Sequence, residues 1–168
     1  MNPLLNNHLE VAQIINIFID MIVGSALVYD LYFKKIPNYL LLTGYAGIAP
    51  FMYVRYGTGG LIDAVAAVFL SFAVLAVIYM VGGLGAGDVK LMCMLAGYLR
   101  LENAVKYILL VIFIGAFAGI IKMLSNYSVR ICDGKSRLQM KKRRTVIRFS
   151  IPITVGYMVV LFSKGGIV

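Results

Sequence analysis

The stretch Gly82-Gly83-Leu84-Gly85-Ala86-Gly87-Asp88-Val89-Lys90-Leu91 places an acid after four glycines in the middle of an apolar chain. Glycine allows positive φ angles and close approach of another backbone, so we predict a bend here along which a substrate backbone could lie. An ionisable group at membrane depth is costly and marks a candidate functional site. The stretch therefore predicts a helix start that carries a functional carboxylate, Asp88, with Gly85 and Gly87 shaping the bend.

The composition of the chain identifies its class. Its 168 residues fit one domain, residues 1–168, and a hydrophobic content of 61% with a mean hydropathy of +0.90 excludes an ordinary soluble domain. A basic membrane protein usually carries its Lys and Arg on cytoplasmic loops, so we interpret the formal charge of +9 in that way and not as a sign of nucleic-acid binding. We therefore predict an all-α, polytopic protein of the cell membrane whose partners include lipids and no nucleic acid.

Six apolar segments alternate with polar or glycine-rich breaks. The first has 19 residues, which at about 1.5 Å each reach roughly the thickness of the hydrocarbon layer. The fourth has only 15 residues, so the glycine stretch before it is expected to lie below the membrane surface. The predicted spans are 11–29, 39–54, 61–81, 85–99, 103–124 and 149–162, with a basic loop at about 125–148.

The distribution of positive charge predicts the orientation. Twelve of the sixteen Lys and Arg residues fall on one side of the six spans, with the largest run at Lys141-Lys142-Arg143-Arg144. That side is predicted to be cytoplasmic, and both termini then lie outside. Asp30 ends the first span and Asp88 begins the fourth, so both acids are expected at the cytoplasmic face although 58 positions separate them.

Elimination leaves these two carboxylates as the candidate catalytic groups. The single histidine, His8, lies on the predicted outer side, and Cys93 and Cys132 form no CxxC pair. No metal-ligand or nucleotide motif occurs, so no metal and no cofactor are expected. Two carboxylates that share a proton can activate water and protonate a carbonyl oxygen. The alternative interpretation is that Asp30 only ends a helix and Asp88 only caps one.

Three further residues near the acids are candidates for shaping the loop or binding substrate. Pro37 forces the preceding residue into an extended conformation, and Asn38 is expected to cap the second span. Lys90 lies two positions after Asp88 and is expected to point away from it, toward the cytoplasmic interface.

Together, Asp30 followed by Lys35-Ile36-Pro37-Asn38, the glycine stretch through Asp88, and Arg148-Phe149-Ser150-Ile151-Pro152 resemble the type IV prepilin peptidases. These are membrane aspartic peptidases with a GxGD motif. The resemblance implies that Asp30 and Asp88 are the catalytic aspartates. It also implies cleavage of a short basic leader from pilin-like precursors, after a glycine and just before a hydrophobic helix. The chain resembles the short, Tad-type or archaeal-like form without a methylase-associated region, so N-methyltransferase activity is not expected.

Two alternative functions stay open from the sequence. The presenilin and signal-peptide-peptidase group shares the acid pair, but its members have nine spans and a Pro-Ala-Leu motif that this chain lacks. A small proton-coupled transporter is an alternative from another class, because Asp20 lies in the middle of the first span. Asp20 is about 15 Å along the helix from Asp30, so it is not expected to join the pair.

The substitution Asp20→Asn separates the peptidase hypothesis from the transporter hypothesis. A peptidase should retain most of its leader-cleaving activity in this variant, whereas Asp30→Asn and Asp88→Asn should lose theirs. The measurement is cleavage of a leader-bearing precursor by the three purified variants. Equal loss in all three would contradict the assignment of the pair.

Overall fold

In the computed structural model, which describes residues 3–33, 35–132 and 149–163, the chain is helical and contains no strand within those ranges. This confirms the all-α prediction. The described residues form four helices: α1 (Pro3–Phe33), α2 (Asn38–Met80), α3 (Ala86–Cys132) and α4 (Ser150–Ser163).

Three stretches in these helices are long and apolar enough to cross a membrane, namely Gln13–Phe33, Asn38–Met80 and Ala86–Ile121, and α4 is a shorter apolar helix. Large apolar side chains such as Phe69 and Phe113 are at least 70% exposed, as expected of a lipid-facing surface. These features support a membrane protein. The six crossings and the outer position of both termini stay predictions.

The helix α2 reverses direction near Gly57, whose φ of 67° and ψ of −158° are not helical. On a straight helix Gly44 and Val68 would lie about 36 Å apart. Gly44 instead packs against Met94, and a Cβ atom on Gly97 would lie 2.7 Å from Val68 Cγ2. Because positions 94 and 97 are less than one turn apart on α3, the two halves of α2 must lie beside each other. The reversal falls within the polar break that the sequence predicts after position 54.

The helix α3 also reverses, at Arg100. Tyr98 and Val111 would lie about 20 Å apart on a straight helix. The Tyr157 ring centroid on α4 nevertheless lies 6.3 Å from that of Tyr98, while a Cβ atom on the adjacent Gly156 would lie 2.5 Å from Val111 Cγ2. The two halves of α3 therefore both pack against α4.

Arg100 connects the two reversals. It has a positive φ of 63°, which is rare for a residue with a side chain and costs conformational energy. Its Nη2 atom lies 2.5 Å from Asp63 Oδ2, and its guanidinium lies 4.5 Å from the centroid of the Tyr56 ring. Tyr56 directly precedes Gly57, so the strained turn of α3 is held against the turn of α2 by an ion pair and a cation–π contact.

The first half of α3 is the centre of the bundle. Every residue from position 91 to position 99 is buried. Burial on all sides means that this half of the helix has protein neighbours all round. Both halves of α2 pack against it, and the Tyr98 hydroxyl donates a hydrogen bond to the Asn16 side-chain oxygen on α1. The helix that begins with the Asp88 segment is thus the one most enclosed by the others.

Two predicted boundaries are wrong. α3 continues to Cys132, so positions 125–132 are helical, although the sequence analysis assigned them to the basic loop. That segment contains no glycine or proline to stop the helix, so it continues beyond the apolar span. α1 likewise begins at Pro3, before the predicted start at position 11. The rest of the loop, with the run at positions 141–144, lies outside the described residues.

The space around two glycines predicts different effects of their substitution by alanine: Gly156 lies in the close contact between α3 and α4, and Gly24 lies on α1. A methyl group on Gly156 would meet Val111, so Gly156→Ala should destabilise the protein by about 1–3 kcal/mol. A Cβ atom on Gly24 would meet nothing within 4 Å, so Gly24→Ala should be neutral or stabilising by about 0.5–1 kcal/mol. Unfolding in detergent, followed by circular dichroism, measures both. Equal stability of the two variants would contradict the packing described here.

Candidate active site

The glycine stretch begins as a turn that ends α2. Gly82 has a φ of 81°, and its N–H donates to the Tyr79 carbonyl at 2.9 Å while the Gly83 N–H donates to the Ile78 carbonyl at 3.0 Å. This pair of bonds is a Schellman motif, which satisfies the last carbonyls of α2 and needs a residue that tolerates positive φ. The chain can therefore leave α2 and enter α3 after only five residues, positions 81–85.

Asp88 lies in the first turn of α3 and its carboxylate folds back over the helix start. The Val89 N–H donates to the Gly85 carbonyl at 3.1 Å, which makes Gly85 the N-cap residue. The Gly85 N–H in turn donates a hydrogen bond to the Asp88 carboxylate. A carboxylate at the third helical position that accepts from the N-cap amide is half of a capping box, and the helix dipole favours its negative charge.

Gly85 lacks a side chain at a position where one would meet this carboxylate. A Cβ atom on Gly85 would lie 2.9 Å from Asp88 Oδ2, closer than such atoms approach in proteins. A Cβ atom on Gly87 would lie 3.5 Å or more from Ile36, an ordinary van der Waals distance. The two glycines of the motif therefore have different functions: Gly85 makes room for the acid, and Gly87 lies against the connection between α1 and α2.

Asp30 lies in the last turn of α1 and contacts α4. The Ser150 hydroxyl, at the first residue of α4, donates a hydrogen bond to Asp30 Oδ2 at 2.5 Å. Asp30 is partly buried and Ser150 is 1% exposed. The carboxylate at the end of α1 is thus held by the beginning of α4.

The structure brings the two acids together. Asp30 and Asp88, both partly buried, are close enough for their charges to interact. Each has one hydrogen-bond donor of its own, from Ser150 and from the Gly85 N–H respectively. Two carboxyl groups that interact in this way can divide acid and base chemistry, so that one member accepts a proton from water while the other donates to a carbonyl oxygen.

The connection between α1 and α2 is attached to the start of α3. Lys90 Nζ donates to Asn38 Oδ1 at 3.1 Å, and the Tyr45 hydroxyl donates to the Lys90 carbonyl at 3.1 Å. The sequence analysis predicted that Asn38 caps α2, and this is wrong, because the Asn38 side chain accepts the hydrogen bond from Lys90. Pro37 is the N-cap residue, because its φ of −69° and ψ of 135° place the helix boundary one residue earlier. Lys90 contacts the first residue of α2, near the pair.

Asp20 lies apart from the acid pair. It accepts a hydrogen bond from the Tyr157 hydroxyl at 2.9 Å, which joins α1 to α4. No group of three or more His, Cys, Asp or Glu side chains that could bind a metal occurs among the described residues.

The sequence analysis missed the contribution of Ser150. A serine beside the start of a predicted helix indicates an N-cap. No spacing rule connects it to an acid 120 positions earlier. The sequence shows only a serine at the beginning of the last predicted span, which by itself does not indicate a contact with Asp30.

Comparison with known proteins matches the chain to a protein family. Residues 17–122 match the model of a family described as the type IV leader peptidase family. The matched range is more than half of the chain, contains both Asp30 and Asp88, and ends before α4. No curated protein and no solved structure matches the chain.

The contact at Gly85 predicts that the two glycines of the motif respond differently to alanine. In Gly85→Ala the new methyl group should displace the Asp88 carboxylate from the Gly85 N–H, whereas Gly87→Ala should leave it in place. The carboxyl stretching band of Asp88, obtained by subtracting the infrared spectrum of Asp88→Asn, should shift only in Gly85→Ala. A shift of similar size in both variants would show that the space over Gly85 is not what positions the acid.

Proposed function

Because the chain belongs to the type IV leader peptidase family, we propose that it is a membrane-embedded aspartic endopeptidase with Asp30 and Asp88 as its catalytic pair. Its substrates are pilin-like precursors, from which it removes a short basic leader at the cytoplasmic face of the cell membrane. The proposed reaction requires no metal or cofactor.

One observation supports this proposal most strongly: two carboxylates that are 58 positions apart in the sequence, on different helices, interact at one end of the bundle. Unpaired acids are costly in an apolar bundle, so a pair with separate hydrogen-bond donors indicates a function for both. The family match contributes the class of reaction, a leader peptidase. The acid pair contributes a chemistry that this chain can perform with its own residues.

The proposed reaction is general acid–base hydrolysis by a pair that holds one proton. The ionised carboxylate takes a proton from water as the water oxygen bonds to the scissile carbonyl carbon, and the protonated partner gives its proton to the carbonyl oxygen. The C–N bond of the resulting tetrahedral intermediate then breaks. The amine nitrogen takes the proton from the first carboxyl group, and the second regains one from a hydroxyl of the intermediate. The pair returns to its starting state without a covalent intermediate.

The exposed apolar surface of the bundle supports a substrate that has an apolar helix behind its cleavage site. The precursor's hydrophobic helix can stay in the lipid beside the large exposed apolar side chains of the bundle. The scissile bond is then at the level of the pair, which lies at the ends of the helices. The distribution of Lys and Arg in the sequence supports the cytoplasmic orientation. Attraction of basic loops to anionic lipid makes the membrane surface a second partner.

The two alternative functions have less support. The family match is to leader peptidases, which favours these over the presenilin and signal-peptide-peptidase group. The transporter hypothesis depended on Asp20, and that acid accepts a hydrogen bond from Tyr157. A hydrogen-bonded acid at a helix contact is compatible with a structural role.

Neutralising either acid of the pair tests the proposal. Asp30→Asn and Asp88→Asn should each lower the cleavage rate of a leader-bearing precursor by about 10²- to 10⁴-fold, because each removes a proton-transfer group. The double variant should be no slower than either single variant, since residues that act as a unit are not additive. Purified enzyme in detergent and gel separation of precursor and product provide the measurement.

Asp63→Asn is the matched control for these variants. It removes an acid that is paired with Arg100 rather than with the candidate site, so it should retain most of the activity. Full activity in either Asp30→Asn or Asp88→Asn would exclude the aspartic mechanism.

A further inference from the structure

Ser150 occupies an unusual position for a serine at a helix start. The Ile153 N–H donates to the Phe149 carbonyl at 3.0 Å, so the first turn of α4 begins from Phe149. A serine next to this boundary commonly bonds to the free amides of its own helix. The Ser150 hydroxyl instead donates to Asp30 Oδ2 on α1. The hydroxyl therefore forms its hydrogen bond with a carboxylate on another helix.

The backbone around Ser150 is fixed by packing on both sides. The Phe149 ring fills the space over Gly115, where any side chain on Gly115 would overlap it. Pro152 is buried, and the Thr154 hydroxyl donates to the Ser150 carbonyl at 2.9 Å. Ser150 is itself 1% exposed. The hydroxyl consequently reaches Asp30 from a rigid base, and its direction depends on the contact between α3 and α4.

Building on the proposed function, we propose that Ser150 is a positioning residue for Asp30, through the hydrogen bond that joins the first residue of α4 to the last turn of α1. A carboxyl group can rotate about its Cβ–Cγ bond, which changes the oxygen that it presents. The bond to Oδ2 fixes that rotation and leaves Oδ1 available to water and to the partner acid. Ser150 acts on the reaction only through Asp30 and contacts neither water nor substrate in the proposed mechanism.

This role extends the site beyond the residues that match the family model. The matched residues end at 122, before α4 begins at Ser150. Asp88 is positioned by Gly85 within the same turn, but Asp30 ends its helix and is positioned from outside α1. The two acids therefore obtain their orientation in different ways, and only that of Asp30 depends on α4.

Substitution of Ser150 tests the proposal by kinetics and by spectroscopy. Ser150→Ala should lower kcat for a leader-bearing precursor by about 10- to 100-fold, the loss expected for a hydrogen bond to a charged group, with KM unchanged. Ser150→Thr retains the hydroxyl and should restore most of kcat. The carboxyl stretching band of Asp30, obtained by subtracting the spectrum of Asp30→Asn, should shift in Ser150→Ala and return in Ser150→Thr.

Ser71→Ala is the matched control. Ser71 is also 1% exposed, and its hydroxyl donates to the Ala67 carbonyl in its own helix. This variant should change neither kcat nor the Asp30 band. If Ser150→Ala does not fold, Ser150→Cys, with its weak donor, replaces it and should give the same direction of change.

The outcomes separate this proposal from the proposed function. An unshifted Asp30 band in the alanine or cysteine variant overturns the positioning role, whatever the activity. Loss of activity that threonine does not restore indicates packing and also overturns it. If the wild-type enzyme cleaves no leader-bearing precursor, the proposed function fails, while the Asp30 band still tests the hydrogen bond.

Discussion

The central constraint on this molecule is that a carboxylate must be accommodated at the end of its most enclosed helix. Positions 91–99 are buried on every side and offer apolar neighbours, so an acid within that segment would have few polar partners. Asp88 instead lies in the first turn, where the Gly85 N–H and the helix dipole compensate its charge. The glycine at position 85 and the tight turn at Gly82 follow from this requirement.

The second acid depends on contacts between elements far apart in sequence. Asp30 reaches the pair because the following connection is attached to α3, through the Lys90 to Asn38 bond and the contact of Ile36 with Gly87. The opposite end of the bundle is held differently, by the ion pair and the aromatic contact of Arg100. One end thus concentrates donors around acids, while the other stabilises two reversals of the chain.

Much of this arrangement can be predicted from the sequence, because composition and glycine spacing report directly on burial and bends. The helical class, the breaks near Gly57 and Arg100, and the placement of Asp30 and Asp88 at one end followed from apolar length and charge. What could not be predicted depends on the rotation of helices about their axes. These helices are apolar around most of their circumference, so the sequence does not indicate which face meets which neighbour.

The role of Asn38 was misassigned, and the hydrogen bond of Ser150 was not predicted, for the same reason. A side chain such as Asn38 or Ser150 has both a local partner in its own helix and a distant one in another helix, and propensity rules describe only the local choice. The partner is distant in both cases, 52 and 120 positions away in sequence. Helix ends that are anchored by neighbouring helices leave these side chains available for such contacts.

The contact between α1 and α4 can form only after α4 has been synthesised, later than the contacts among α1, α2 and α3. The contacts between α2 and α3 join neighbouring parts of the chain, whereas the Asp30 to Ser150 bond spans 120 positions and the Asp20 to Tyr157 bond spans 137. Ribosomal synthesis produces Asp30 and Asp88 long before α4. During translation there is consequently an interval in which both acids are already made but the bundle is still open on the side of α1. A nascent chain at that stage lacks the two hydrogen bonds that join α1 to α4 in the finished protein.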